Sequence, residues 1–509
     1  MKKHILFFAV CFFCSFAIIL VVPFDPDLGW HLRQGEIIWQ TKSFPTTQSF
    51  SYNFTDYKIA DFYWLSQVIF YLLVSRLGLI SLPLLTSLVG SGVVLVLLFS
   101  SFDREKLKKS ALYKGVFFLL AVVLSYGLQL SLHGGRPMLF GLVFVAALKI
   151  LLGKVLHGQR WPLLVLPPLF LAWANFYGDF IYGLWVFVAF AYFILICKLL
   201  YVKWFPWRQK LFNFVSFFGA LPEESLLNWP LVLGVFASLT ASALATFINP
   251  YGPFLWRSIL ADVDSFHLSH IQEWGPLNVH NDLGKFMLAV ICFCVAFGWY
   301  WRKKISLFDL AVIFGLSALL LRFLYPFRYL LIWSVIPLYL GLTDLGENLA
   351  SLLDADLLRR RVFFFYPFFI AIPVVCGAVF GVNRYFFDDV SQNIYPVRVL
   401  SYLGEKAPGD RVFNEYNWGG YLVWKRPNWP LFIYGQMPAW KQGDESAFRD
   451  FINLKENPSR YFEGMKEKYN FDWALVKSTS ILADFWRQKE GWRELYRDET
   501  ASVFVELKE

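Results

Sequence analysis

Long apolar runs, most of them followed by a short basic loop, recur from the start of the chain to Gly381, and the pattern stops there. A helix needs about 20 apolar residues to cross a hydrocarbon core of ~30 Å, and the cytoplasmic loops of such proteins are enriched in Lys and Arg. On that reading the first span runs from Ile5 to Phe24, after Lys2 and Lys3, and stays uncleaved because no small-x-small site follows it. The next basic cluster is Arg104, Lys106, Lys108, Lys109 and Lys114, so Leu79 to Ser100 must return the chain to the same side. Trp64 to Val74 is apolar but too short to span and is placed against the outer interface. Further spans are expected near 113–132, 137–152, 161–175, 180–200, 229–248, 285–301, 306–321, 328–343 and 362–381. Their intervening inner loops carry Lys154 with Arg160, Lys203 with Arg208 and Lys210, Arg302 with Lys303 and Lys304, and Arg359 to Arg361. About eleven spans result, which puts the N-terminus in the cytoplasm and the C-terminus outside.

After Gly381, charged residues alternate with short β-rich runs: Arg411 to Phe413, Tyr421 to Trp424, Leu431 to Tyr434, Trp473 to Lys477 and Ser502 to Leu507. Helical patterns near 395–406, 446–454, 458–469 and 480–489 separate several of them. The expected organisation is therefore mainly α: a multi-pass transmembrane domain over 1–381, with a long first outer loop over 24–78, and a soluble extracytoplasmic α/β domain over 382–509.

Composition agrees with lipid as the solvent, since 57% of residues are hydrophobic and 17% are charged. The net charge of +9 lies wholly in the apolar part: residues 1–381 carry 29 basic and 19 acidic side chains, and the remainder 18 and 19. That excess is the positive-inside signal, and it points away from nucleic acid as a partner. All six cysteines fall within apolar runs, which suits packing rather than disulfides or zinc.

The topology sorts the remaining polar residues by side. The outer ends of the spans receive Asp25, Asp27, His31, Arg33 and Glu36, then His133 and Arg136, then Asn175, Tyr177 and Asp179, then His267, His270, Glu273, Trp274 and His280, and finally Arg322 and Arg328. Ionisable groups at membrane depth persist when paired or hydrated, so this set predicts a polar cavity opening outward. The densest part is Asp25-Pro26-Asp27-Leu28-Gly29-Trp30-His31-Leu32-Arg33. Pro26 suits the first position of a helix, which makes Asp25 its N-cap and sets Asp27 and His31 on one face. Carboxylates there suit a general base or a cation site, and Arg33 suits phosphate.

An acidic pair just after the first span resembles the GT-C class of membrane glycosyltransferases, in a largely uncharacterised bacterial subgroup that uses polyprenyl-phosphate-linked sugars. The resemblance rests on Asp25 to Gly35, Phe44-Pro45 with Ser49-Phe50-Ser51, Trp64-Leu65-Ser66-Gln67 and Arg136-Pro137. It continues in Trp173-Ala174-Asn175, Asn249-Pro250-Tyr251-Gly252, Glu273-Trp274 and Asn414 to Leu422, and so covers nearly the whole chain.

What the resemblance implies is inverting transfer of a sugar from a polyprenyl-phosphate donor to a glycan, lipid or protein acceptor at the outer face of the plasma (inner) membrane. Asp27 is then the base, with Asp25 its alternate or a metal ligand. Arg33, Arg136, Arg328 and His31 are assigned to the donor phosphate; Asn175, Tyr177, Asp179, Glu273 and Trp274 to sugar or acceptor. A divalent cation, magnesium or manganese, would use Asp25, Asp27 and His31. The chain departs from the pattern at Gly29, where a second Trp is usual, at Tyr177 in place of a His, and at Tyr434-Gly435-Gln436 in place of Asp-Gly-Arg. The last departure leaves acceptor binding or packing to the C-terminal domain. Two rivals stand beside this reading: a non-catalytic scaffold for envelope polymers, and a transporter or flippase, which calls for repeated halves and charges at mid-membrane. The sequence displays neither of those two features.

Overall fold

The computed structural model describes residues 2–20, 25–132, 135–202, 208–261, 270–271, 275–352, 394–437, 440–441 and 444–507. Among the described residues, nine of the expected spans overlap one apolar helix each and 328–343 overlaps a bent pair; the span at 362–381, Arg359 to Arg361 and the domain boundary at 381 lie outside the described residues. Among the described residues, five helices are long and apolar enough to cross a membrane: Ser81–Ser101, Ala111–Ser131, Met138–Leu156, Phe180–Tyr201 and Asp282–Tyr300. A sixth is obtained if Phe327–Trp333 and Val335–Asn348, bent by 54° at Ser334, count as one span. Ile5–Ile19, Pro162–Phe176, Trp229–Ala245 and Leu307–Leu320 are apolar but shorter. The chain is a multi-pass membrane protein, mostly helical, with one small sheet near its C-terminus.

The sheet has the order β1 (Val412–Asn414), β2 (Trp473–Lys477), β4 (Ala501–Glu506), β3 (Trp492–Arg497). Only the β1–β2 pair is parallel. Helices Ala447–Glu456, Pro458–Tyr469 and Ile481–Gln488 cover it, and Phe413, Phe451, Phe462, Trp486 and Phe504 fill the core between.

Two expected strands are corrected. Tyr421 to Trp424 lies in a helix, Gly419–Lys425, whose Leu422 and Val423 are buried while Trp424 packs on Leu28, Leu32 and Leu82. Leu431 to Tyr434 is fully buried yet joins no sheet. Its backbone is satisfied instead by the loop between helices Leu28–Thr41 and Trp64–Leu77: Leu431 N donates to Phe50 O at 3.3 Å and Tyr52 N to Leu431 O at 3.2 Å. Ser51 Oγ and Asn53 Nδ2 donate to Phe432 O at 3.1 and 2.8 Å, and Asn414 Oδ1 accepts from Phe432 N at 2.9 Å. Buried backbone groups must be paired, so this run and the first loop form one folded unit although some 380 residues separate them.

Helix Leu28–Thr41 links that unit to the membrane helices. It packs against Trp64–Leu77 on one side and Gly419–Lys425 on the other. The second crossing is backbone on backbone: a methyl group on Gly29 would collide with the carbonyl of Gly420, and one on Gly420 with the carbonyl of Pro26. A second Trp at position 29 could not be accommodated here, which accounts physically for the glycine.

Candidate functional site

The acid cluster forms where helix Leu28–Thr41 begins. The structure makes Asp27, rather than Asp25, the residue at the N-cap, and its side chain caps nothing. Asp25 instead accepts the backbone N–H of Asp27 through Oδ1 at 2.8 Å, and its other oxygen receives Nε of Arg136. Arg136 also reaches Asp27, with its Nη2 3.4 Å from Oδ2. Asp27 Oδ1 accepts Trp30 Nε1 at 3.0 Å.

Exposure separates the two acids: the Asp25 side chain is 0% exposed and that of Asp27 24%. Gly435, from near the C-terminal end of the chain, closes over Asp27 so tightly that a methyl there would strike its Oδ1, and Tyr395 OH donates to Asp25 O at 3.3 Å. The Tyr434-Gly435-Gln436 turn therefore touches the acid site with its backbone, although it brings no acid or base.

His31 is buried, lies against Trp30 with ring centroids 3.7 Å apart, and pairs its Nδ1 with Gln67 Nε2 at 3.1 Å. Burial, and then the charge of Arg136, hold its pKa well below the usual value, so the ring is neutral. Asp25, Asp27 and His31 are not gathered as a ligand set; among the described residues no three His, Cys, Asp or Glu side chains converge as a metal site, and Arg136 bridges the two carboxylates. Arg33 pairs with Glu36 at 2.7 Å, one turn along the same helix.

A second polar group lies at the ends of the membrane helices. Asp179 is buried and accepts Trp173 Nε1 at 2.5 Å and the hydroxyl of Tyr329. Burial pushes its pKa up to about 7, against the pull of those two donors and of Arg328. Tyr177 and Tyr325 share a hydroxyl contact at 2.9 Å, and Arg328 lies over the Tyr325 ring at 4.1 Å with its Nε on Tyr325 O at 3.3 Å. A cleft of about 530 Å³ begins at Leu324 and runs past Pro276, His280 and His270. Tyr63 joins the two groups, its ring 5.1 Å from His31 and 5.7 Å from Tyr177.

Asn175, expected at sugar or acceptor, is committed to the scaffold. Its amide donates to Leu171 O and Ile248 O at 2.8 and 2.9 Å, and its carbonyl accepts Trp64 Nε1 at 3.1 Å. Those bonds tie the first loop to the turn at Asn249, where Tyr251 OH reaches Pro45 O at 3.0 Å. His133, His267, Glu273 and Trp274 lie outside the described residues.

The expectation of no charge at membrane depth is also corrected. Lys149 is buried in helix Met138–Leu156 and donates to Ile332 O at 2.9 Å. That carbonyl sits at the break before Ser334, where a helix end leaves carbonyls unpaired, so the ammonium acts as a cap for a broken span. A transport pathway is not needed to explain it.

No motif in the sequence singles out Asp61, Tyr63, Tyr325 or Tyr329. A lone acid within Ile59-Ala60-Asp61-Phe62-Tyr63-Trp64 was the available signal for the first, since an acid inside an aromatic run is either buried or misplaced.

No family model matches the chain, and no curated protein matches it. Solved structures do. The archaeal oligosaccharyltransferase AglB of Archaeoglobus fulgidus, in complex with an inhibitory peptide and a dolichol-phosphate, matches at a TM-score of 0.51 and 12% identity over 93% of this chain and 70% of that one. An Archaeoglobus fulgidus oligosaccharyltransferase tethered to an acceptor peptide matches at 0.50 and 13%, over 92% and 69%. The apo form of an oligosaccharyltransferase from the same organism gives 0.52 and 12%, over 92% and 69%. The chain has the fold of these membrane glycosyltransferases, the GT-C fold.

Proposed function

We propose that this protein is an inverting membrane glycosyltransferase. It moves a sugar from a polyprenyl-phosphate carrier to a glycan, lipid or protein acceptor at the outer face of the plasma (inner) membrane. The observation that carries the reading is the arrangement of two carboxylates around one guanidinium, with Asp27 reachable and Asp25 sealed. The likeness to oligosaccharyltransferases, one of which was solved with a dolichol-phosphate, supports a lipid-linked donor.

Asp25 holds Arg136 through Nε and holds the backbone of Asp27, so both are fixed before substrate arrives. The Arg136 contact to Asp27 is the longer one, at 3.4 Å. A donor phosphate approaching Arg136 competes for that nitrogen, and Asp27 is released to take the acceptor proton as the acceptor oxygen attacks the anomeric carbon. The bond to phosphate breaks on the opposite face, and Arg136 stabilises the departing charge. Arg328 and Arg33 are further cations for the donor phosphate, and Tyr177, Asp179, Glu273 and Trp274 remain assigned to sugar or acceptor. The C-terminal domain, closing over Asp27 through Gly435, forms one wall of the acceptor site.

Deletion of the gene should leave envelope glycans short of one sugar and lipid-linked sugars in excess, both read by mass spectrometry; unchanged profiles of both would sink the reading. The reaction also requires the acid cluster outside the cytoplasm. Alkaline phosphatase fused at Glu509 should be active and fused at Lys108 inactive, and the reverse pattern would put the cluster on the wrong side of the membrane.

A further inference from the structure

Asp61 is 1% exposed and lies in the first loop, three residues before helix Trp64–Leu77. Its Oδ1 accepts Tyr63 N at 3.1 Å, but its Oδ2 is buried without a hydrogen-bond partner. Gln67 lies within hydrogen-bonding reach of this carboxyl. While Gln67 Nε2 is used on His31 Nδ1, its Oε1 is likewise buried and unpartnered. Two adjacent side chains thus each present an orphaned acceptor, a condition that folded interiors rarely leave standing. One proton between them satisfies both.

We propose that Asp61 is held as the neutral carboxylic acid, that its proton bridges to Oε1 of Gln67, and that the amide so fixed donates to Nδ1 of His31, leaving the imidazole proton on Nε2. Among the described groups that act on the carboxyl, the backbone N–H of Tyr63 and the amide of Gln67 favour its ionised form, the hydroxyls of Tyr251 and Tyr434 interact with it electrostatically, and none is a cation. Burial pushes Asp61 up to about 7. Around His31 stand Trp30, Tyr63, Gln67 and Arg136, and the ring stays neutral beside the guanidinium. Asp61 and Gln67 are positioning residues: they act on the site through His31 and keep a second positive charge away from Arg136 and the acid pair.

The bridge has a defined response to pH. As pH rises through about 7, Asp61 gives its proton to solvent and can only accept. The Gln67 amide then turns over to give its NH2 to the carboxylate, and its oxygen faces Nδ1. That face now requires the ring proton on Nδ1, so the imidazole keeps one proton but changes tautomer.

Infrared spectra of the purified full-length chain test this directly. Well below the midpoint, wild type should show the carbonyl stretch of a buried protonated carboxyl that Asp61→Asn lacks, and the band should fade as pH passes about 7. Asp61→Asn can still donate to Gln67, so the ring 15N shifts of His31 should stay in the acid-form pattern across the pH range while those of wild type change. Identical carboxyl spectra for wild type and Asp61→Asn at low pH would overturn the proposal. If that variant does not fold, Gln67→Leu carries the test: the band should move to the frequency of a carboxyl without a partner, and an unmoved band would overturn the bridge. Effects on turnover rest on the proposed glycosyl transfer, whereas these spectra do not. An inactive chain with the band intact would remove the enzyme reading and leave the bridge, and an active chain without it would do the reverse.

Discussion

Arg136→Met should destabilise the protein by roughly 3 kcal/mol and abolish transfer, because it strands the Asp25 carboxylate, which is 0% exposed, without its counter-charge. Removing one member of a buried pair typically costs about 3–5 kcal/mol. The lower end applies here because the Arg136 side chain is 18% exposed and water already shares its charge. Met keeps most of the volume, so the loss is one of charge rather than of packing. Unfolding in mixed micelles, followed by loss of near-ultraviolet circular dichroism, measures it. Asp25→Asn should be milder, since the amide still accepts the N–H of Asp27 and the guanidinium can turn to Asp27 and to water. The double variant should be more stable than Arg136→Met alone, because the stranded charge is gone. Wild-type stability in Arg136→Met would mean that Asp25 is neutral in the folded protein, and the arrangement of one base and one sealed acid would fail.

The parts of the fold that could be read from the sequence are those dictated by the solvent. Hydrocarbon forces long apolar runs, and the inner loops betray themselves by Lys and Arg, so the helices from Ser81–Ser101 to Leu307–Leu320 stood out without a structure. Asp25, Asp27 and Arg136 were visible as charges at the outer ends of spans, and the structure brings them together from positions 111 residues apart. What the sequence hides is how buried polar groups are satisfied over longer distances. Leu431 to Tyr434 has a strand's composition, but its partners are Phe50, Ser51, Tyr52 and Asn53, and nothing local announces them. Tyr421 to Trp424 is short enough for its apolar pattern to serve either period, and in the structure it is a helix whose Gly420 crosses Pro26 and Gly29 backbone on backbone. Asn175 carries a side chain fit for sugar, yet backbone carbonyls at Leu171 and Ile248 have the first claim on it. Which of the two aspartates is reachable was likewise invisible, because exposure is set by Gly435 and Tyr395 from the far end of the chain.

Asp27→Asn is the substitution that separates an enzyme from a scaffold. Asn keeps the size, still accepts from Trp30 Nε1, and leaves Arg136 held by Asp25, so the fold should barely respond. Only the capacity to take a proton is lost, and for a general base that typically lowers the rate about two to four orders of magnitude. Donor binding should survive, because the guanidinium nitrogen that Asp27 shares becomes more available to phosphate, and the apparent affinity for donor should hold or tighten while turnover falls. Asp27→Glu tests placement: the acid is retained but pushed toward Gly435, whose backbone leaves no spare space, so it should recover little activity. The assay is transfer from a polyprenyl-phosphate sugar by the purified protein, run with and without added magnesium or manganese. Full activity in Asp27→Asn would remove the base from the mechanism. No transfer by wild type across a broad panel of donors and acceptors would favour the scaffold, in which the Arg136 pairs hold the first loop beneath the C-terminal domain and the carboxylates serve the fold alone.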